Sequence, residues 1–374
     1  MPTHTTYVDF FMTTMLGNYI HIIQRYALML LTVLVASIMA VSCDVHEFPD
    51  DEANVRVPIR LIFNTLMTQS EYINNSMTES SGSRAPSESA RMRYVIRFYK
   101  RAADTRAMIS SEYKEFVFER TVDGNYDNDF LIDIPPGDYS VMAWADFVES
   151  TDNQGYFYDA SDFSNITLLK PHIGNTDRRD AFRGEESATV AMLDHIEPVV
   201  VTMERPLAKY EFVSTDLREF LEQEAEAQRQ AEAENGETPS GVDQEPTRSG
   251  IDLDKYRILF VYSGYMPNVY NMFTDKPVDS VTGIAFEGKF SKINDDEISL
   301  GFDYVIVNHM ETTITLRVAI LNEKGDQVSL TSPINVPIKR SNHTIVKGRF
   351  LMEKAKGSVG IDPGYNGEFN IIIK

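Results

Sequence analysis

Val55-Arg-Val-Pro-Ile-Arg-Leu-Ile-Phe63 alternates apolar with polar residues, the period of a strand that turns one face to a core and the other to water. Pro58 predicts an edge position, because proline cannot donate to a ladder. The same style continues at residues 93–99, 115–119, 130–134, 138–146, 198–204 and 208–213, short runs rich in Val, Ile, Phe and Tyr with turn signals between them. Seven such runs suffice for a two-sheet sandwich. A second block repeats the pattern at residues 256–262, 283–287, 298–307, 312–321, 335–339, 344–351 and 368–373. Asn322-Glu-Lys-Gly-Asp-Gln327 supplies a hairpin turn in which Gly325 can take positive φ.

The two blocks are separated by one clear helical signal, residues 216–234, running into a Gly/Pro/Ser/Glu-rich stretch at 235–250. Asp216 predicts the helix cap, answered by Glu219 three residues later. Leu217, Phe220 and Leu221 form a small apolar face that could dock on a sandwich, and beyond Ala225 the helix is expected to project into solvent. Residues 216–249 carry ten acids and three bases, which marks a solvated, partly disordered spacer. A second polar stretch, residues 69–90, holds seven serines. A loop of that length in a compact domain is disordered or functional.

Cys43 is the only cysteine in the 374 residues. It follows Arg25, an uncharged apolar run and the small residues Ala40, Val41 and Ser42, and it precedes the acidic stretch 44–52. Positive flank, apolar segment and small-residue cleavage site together make an export signal. A cysteine just after the cut resembles the lipobox of bacterial lipoproteins, with Ala40 where that pattern prefers Leu. The resemblance implies a diacylglyceryl anchor with palmitate-type chains on the Cys43 thiol. A mature body without further cysteine relies on its core, not on disulfides. The net charge of −21 repels phosphate backbones and anionic lipid, so nucleic acid is not an expected partner and the membrane is reached through the lipid.

Catalytic signatures are missing. The chain has no GxSxG elbow, Walker loop, HExxH or glycine-rich dinucleotide loop. His46, His172, His195, His309 and His343 are not spaced as metal ligands on one face. An enzyme is therefore not expected, and neither a metal nor a cofactor is implied. Asp123-Gly-Asn-Tyr-Asp-Asn-Asp129 sets oxygen donors at alternate positions but lacks the glycine and distal glutamate of a calcium loop; a hairpin connection is the simpler reading. Trp144, the sole tryptophan, and Tyr156, Phe157 and Tyr158 are candidates for a sugar-stacking platform. Placement in a sandwich core is the competing reading.

Ile134-Pro-Pro-Gly-Asp-Tyr-Ser-Val141 resembles the PPG-x-Tyr turn and strand of prealbumin-like sandwiches. Glu204-Arg-Pro-Leu-Ala-Lys-Tyr-Glu-Phe212 and residues 336–351 resemble the last strand of a first domain and the near-terminal hairpin of the fimbrillin-like surface lipoproteins of Bacteroidota. The resemblance implies an all-β chain of two tandem transthyretin-like, Greek-key sandwiches joined by an acidic helical and disordered connector. The expected divisions are a signal peptide at 1–42, an acidic tether at 43–54, a sandwich at 55–215, the connector at 216–250 and a sandwich at 251–374. It also implies an outer-membrane, surface-exposed fimbrial subunit, anchor or adhesion component that meets other subunits, or itself, by β-strand addition. Protease processing in the serine-rich loop would fall at Arg84 or Arg91. The alternative is a surface glycan-binding lipoprotein serving a nutrient importer. Asp279-Ser280-Val281 fits a short O-glycosylation pattern of the same bacterial group.

Overall fold

A computed structural model of the chain describes residues 54–73, 76–80, 90–148, 155–192, 197–234, 251–308, 311–353, 359–360 and 372–373. Strand β1 (Val55–Phe63) leads into the paired β2 (Thr68–Ile73) and β3 (Ser76–Ser80), then β4 (Ala90–Arg101), β5 (Met108–Val122), β6 (Asn128–Ile134) and β7 (Gly137–Phe147). The short β8 (Tyr158–Asp159) and β9 (Ile166–Leu168) precede β10 (Ala181–Val190), β11 (Val199–Met203) and β12 (Leu207–Ser214). Helix α1 (Leu217–Glu234) separates these from β13 (Arg257–Tyr262), β14 (Met266–Asn271), β15 (Lys276–Val281) and β16 (Ala285–Gly288). Then come β17 (Ser291–Lys292), β18 (Ile298–Ile306), β19 (Thr312–Leu321), β20 (Gln327–Leu330), β21 (Ile334–Ile338) and β22 (Asn342–Gly348), and the short β23 (Val359–Gly360) and β24 (Ile372–Ile373) pair with each other. The fold is all-β and sandwich-like.

The amino-terminal sandwich sets the sheet β11-β1-β6 against β10-β7-β4-β5. Val57, Ile59 and Leu61 of β1 meet Tyr94, Ile96 and Phe98 of β4 and Val141 and Ala143 of β7 in one buried core. Each large side chain removed from water there contributes about 1.5–3 kcal/mol. The alternation of β1 thus takes the expected face, but β1 is the middle strand of its sheet, not an edge. Pro58 is tolerated because the parallel ladder to β11 begins only at Ile59↔Val199. At Pro58 itself the sole partner is Leu131 of β6, so the missing N–H disrupts no second ladder.

The strand order corrects two further expectations and adds a strand that the sequence pattern does not announce. Residues 123–127 do not close a hairpin: β5 pairs with β4 and β6 with β1, so this loop crosses between sheets. β10 completes the sandwich, although its polar run Ala181-Phe-Arg-Gly-Glu-Glu-Ser-Ala-Thr-Val190 carries little strand signal. β12 leaves the first block altogether. It pairs antiparallel with β18 and parallel with β22, inside the six-stranded sheet β17-β18-β12-β22-β2-β3.

That six-stranded sheet packs on β16-β13-β19-β20, to which β21 adds through β19, and β15-β14-β9-β8 form a further sheet. The Asn322–Gln327 turn joins β19 to β20 with Gly325 at φ +84°. In β7 the residues Tyr139, Val141, Ala143 and Ala145 face the first core, while Met142 and Trp144 face a second core shared with Tyr210, Phe260 and Tyr270. The sheet β10-β7-β4-β5 is therefore covered on both faces, and Val55–Lys374 forms one compact unit. Helix α1 docks through buried Leu217 and Phe220, with Leu221 partly buried. The Asp216 carboxylate does not cap it. Instead it accepts from Ser214 Oγ at 2.5 Å and from the Met352 amide at 3.0 Å.

Candidate functional site

The residues that join the two cores come from a single turn of 3-10 helix, Asp177–Arg179, and the residue after it. Thr176 caps the turn by accepting from the Arg178 amide at 3.2 Å. That geometry sends Asp177, Arg179 and Asp180 in different directions. Lys209 Nζ donates to Asp177 Oδ1 at 2.6 Å, and Tyr304 Oη donates to the same oxygen at 2.8 Å. Arg179 Nη1 donates to Asp303 Oδ1 at 2.5 Å. Asp180 accepts from Arg205 Nε at 2.7 Å. Asp303 Oδ2 accepts from Tyr262 Oη at 2.8 Å, and His172 Nε2 lies 2.8 Å from the same oxygen. The Arg179 and Asp303 side chains are 2% and 0% exposed.

Burial and the neighbouring Arg179 push the His172 imidazole below its ordinary value, so it is neutral at pH 7. Burial alone would raise the Asp303 carboxyl, but Arg179 and then His172 outweigh it and hold it below the usual carboxylate range. Such pairs add little net stability, yet losing one partner strands the other as a buried charge. The arrangement fixes the geometry of the cores and offers no nucleophile–base pair. Among the described residues no group of three or more His, Cys, Asp or Glu side chains is placed to hold a metal.

The aromatic candidates lie beside this strap. Trp144 is fully buried, as is Tyr158, and Phe157 is 7% exposed. Trp144 Nε1 donates to Asp146 Oδ2 at 3.1 Å, and its ring meets Tyr158 edge-on at 5.5 Å. Arg93 Nε donates to Asp146 Oδ1 at 2.9 Å, and burial nonetheless pushes the Asp146 carboxyl up. Tyr156 is half-buried, with its hydroxyl on Glu119 and the Arg93 guanidinium 3.8 Å from its ring centre. These rings are packed against protein on their broad faces and present no coplanar exposed row. Arg91 sits in β4 opposite Thr121 and pairs with Glu119. Cys43 and Arg84 lie outside the described residues. Ser280 is exposed on β15, the flank of its sheet.

Sequence reasoning missed Arg93, Asp146, Arg179, Asp180, Arg205 and Asp303. A signal was present for one of them: Asp303 is the single charge inside the apolar strand Ile298–Ile306, and a charge buried among such neighbours needs a partner.

The outer face of the six-stranded sheet forms a trough of about 430 Å³ lined by side chains of β2, β12, β18 and β22. Lys209, Asp177 and Tyr304 are part of its lining. Among the described residues no helix is long and apolar enough to cross a membrane.

The fold and this site define an all-β sandwich protein whose two cores are joined by buried ion pairs. The chain belongs to the family described as Family of unknown function (DUF6562), matched over residues 51–374. No curated protein matches it. Among solved structures it is similar to a putative adhesin from Bacteroides thetaiotaomicron, at 10% identity over 85% of this chain and 97% of that one, with a TM-score of 0.41. It is also similar to the fimbrial anchor protein Mfa2 from Porphyromonas gingivalis, at 12% identity over 74% and 82% of the two chains, TM-score 0.33. A fimbrial assembly protein from Parabacteroides distasonis matches at 12% identity over 79% and 91%, TM-score 0.34.

Proposed function

We propose that this chain is a surface-exposed outer-membrane lipoprotein, anchored through Cys43, that serves without catalysis as a structural subunit or anchor of a fimbrium or adhesion assembly. The observation that carries the reading is the placement of β2 and β3. They form the outer flank of the six-stranded sheet, tied to it by a parallel ladder from Thr68↔Asn342 to Ile73↔Lys347. Removing this pair of strands would bare the edge of β22, and a strand from a neighbouring subunit could take the same backbone hydrogen bonds. Arg84 lies four residues beyond the end of β3 and is the candidate point of release, in a subunit that gives up β1 and its Cys43 anchor together with this pair; an anchor subunit stays uncut. The PPG-x-Tyr corner supports the kinship: Tyr139 Oη donates to Pro135 O at 2.9 Å, so the turn is held by the ring that follows it.

The test is an immunoblot of native outer membranes with and without boiling in detergent. A heat-sensitive ladder of multimers is expected. A single monomer band in both lanes would remove the fimbrial reading.

A further inference from the structure

The trough on the six-stranded sheet has a charge pattern that its own ion pairs do not balance. Across three adjacent strands Glu71 of β2, Ile345 of β22 and Glu211 of β12 stand in one row, since both glutamates register with Ile345. Two strand spacings separate the carboxylate stems, about 10 Å, with an apolar floor between them. Five carboxylates line the trough: Glu71, Asp177, Asp180, Glu211 and Glu297. Three of them have a close cation, in Lys209 for Asp177, Arg205 for Asp180 and Lys347 for Glu297 at 3.2 Å. Glu71 shares Lys347 only at 3.5 Å. Glu211 takes Ser299 Oγ on Oε1 at 2.6 Å. Its Oε2 is 3.1 Å from His343 Nε2, yet that nitrogen is out of line for a hydrogen bond. The lining thus keeps an excess of two negative charges before His343 is counted, on a chain whose net charge is already −21.

We propose that this trough receives a cationic side chain, lysine or arginine, carried by a partner polypeptide. Its aliphatic stem would lie over Ile345 and its charged head would reach Glu211 and Glu71. A long basic side chain suits such a floor because its methylenes bury while its head stays polar. The acidic field of the whole chain steers a basic segment toward it and disfavours an acidic one. Lys347 acts as the resident competitor: it occupies the space by Glu71 when the trough is empty and shifts wholly to Glu297 when the partner's cation arrives. This goes beyond strand addition at β22, because it uses the face of the sheet and not its edge, and it belongs to the chain in which β2, which carries Glu71, is still in place.

The probe is an acetylated, amidated Gly-Arg-Gly peptide, followed by saturation-transfer NMR on the full chain in detergent. Gly-Glu-Gly serves as the acidic control and spermidine as a non-peptide cation. Binding with a Kd of about 1 mM is expected for a single anchor. Glu211→Gln, which keeps the acceptor for Ser299, and Glu71→Gln should each weaken it about tenfold, and Lys347→Met should strengthen it severalfold. Equal response to the acidic peptide, or indifference to both glutamine variants, would overturn the proposal. So would weaker binding in Lys347→Met, which folds independently of this question and is checked by its unfolding midpoint. Saturation by spermidine without any peptide effect would assign the trough to small polyamines and overturn the polypeptide partner. None of these results depends on the multimer ladder, so either reading can fail alone.

Discussion

Arg179 and Asp303, 124 positions apart in the chain, meet at 2.5 Å with both side chains out of contact with water. The pair ties the turn after β9 to the middle of β18, and through Tyr262 it reaches Tyr210 of β12 at 2.9 Å. Asp303→Asn keeps the shape but leaves the guanidinium unpaired, so a loss of about 3–5 kcal/mol is expected in urea unfolding. The double variant Arg179→Met/Asp303→Leu should lose less than Asp303→Asn alone. A double variant that is the less stable of the two would contradict this account of the strap.

His172 gives the strap a pH dependence. Its folded-state value lies below the unfolded 6.5, chiefly through burial, so the unfolded chain takes up protons that the folded chain refuses. Stability is therefore fully present above pH 6.5 and declines as the pH falls, by up to about 1.4 kcal/mol per unit until the folded value is reached. Asp303, held low, adds a loss only below its unfolded value of about 3.9. The difference in unfolding midpoint between wild type and His172→Gln should shift in favour of the variant between pH 7 and pH 5. A constant difference over that range would show that His172 does not titrate on unfolding.

Trp144 is the only fluorophore of its kind in the chain. Full burial against Tyr158 and Tyr270 predicts a blue-shifted emission that acrylamide barely quenches. Oligosaccharides should leave it unchanged. Quenching by a glycan at millimolar concentration would restore the stacking-platform reading.

Arg91 is shielded where Arg84 stands in a serine-rich stretch. Its backbone belongs to the β4–β5 ladder and its side chain pairs with Glu119. Limited digestion with an arginine-specific protease should yield chains beginning at Ala85 well before chains beginning at Met92. Glu119→Ala should not reverse that order, because the ladder and not the ion pair holds the backbone from the protease. Early cleavage after Arg91 would place the fragile point inside the first sandwich.

Much of the first sandwich could be read from period alone, because β1, β6 and β11 bury one face and alternate cleanly. β7 could be placed but not its second role. Trp144 and Asp146 stand on the face opposite Val141, and only tertiary structure says that this face is covered too. β10 escaped because the exposed Glu185 and Glu186 break its apolar alternation, and β12 was assigned to the wrong sheet because a strand's local pattern does not reveal which strands it pairs with. Asp216 looked like a cap from its spacing to Glu219. Its carboxylate is claimed instead by Met352, a partner 136 positions away that no local rule can see. The strap was opaque for the same reason, since its partners are set by topology.

The parallel ladder between β2 and β22 has a consequence for the newborn chain. Ser70 Oγ donates to Asn342 Oδ1 at 3.2 Å across 272 positions of sequence. Synthesis runs from the amino end, so β2 waits for its neighbour until nearly the whole polypeptide exists. At about 5–20 residues per second that interval is roughly 15–55 s. For that time the six-stranded sheet cannot close, and its middle strands stay exposed to whatever meets them first. A chain built this way completes its central sheet late, and any truncation before Asn342 removes the partner of a strand made at the start.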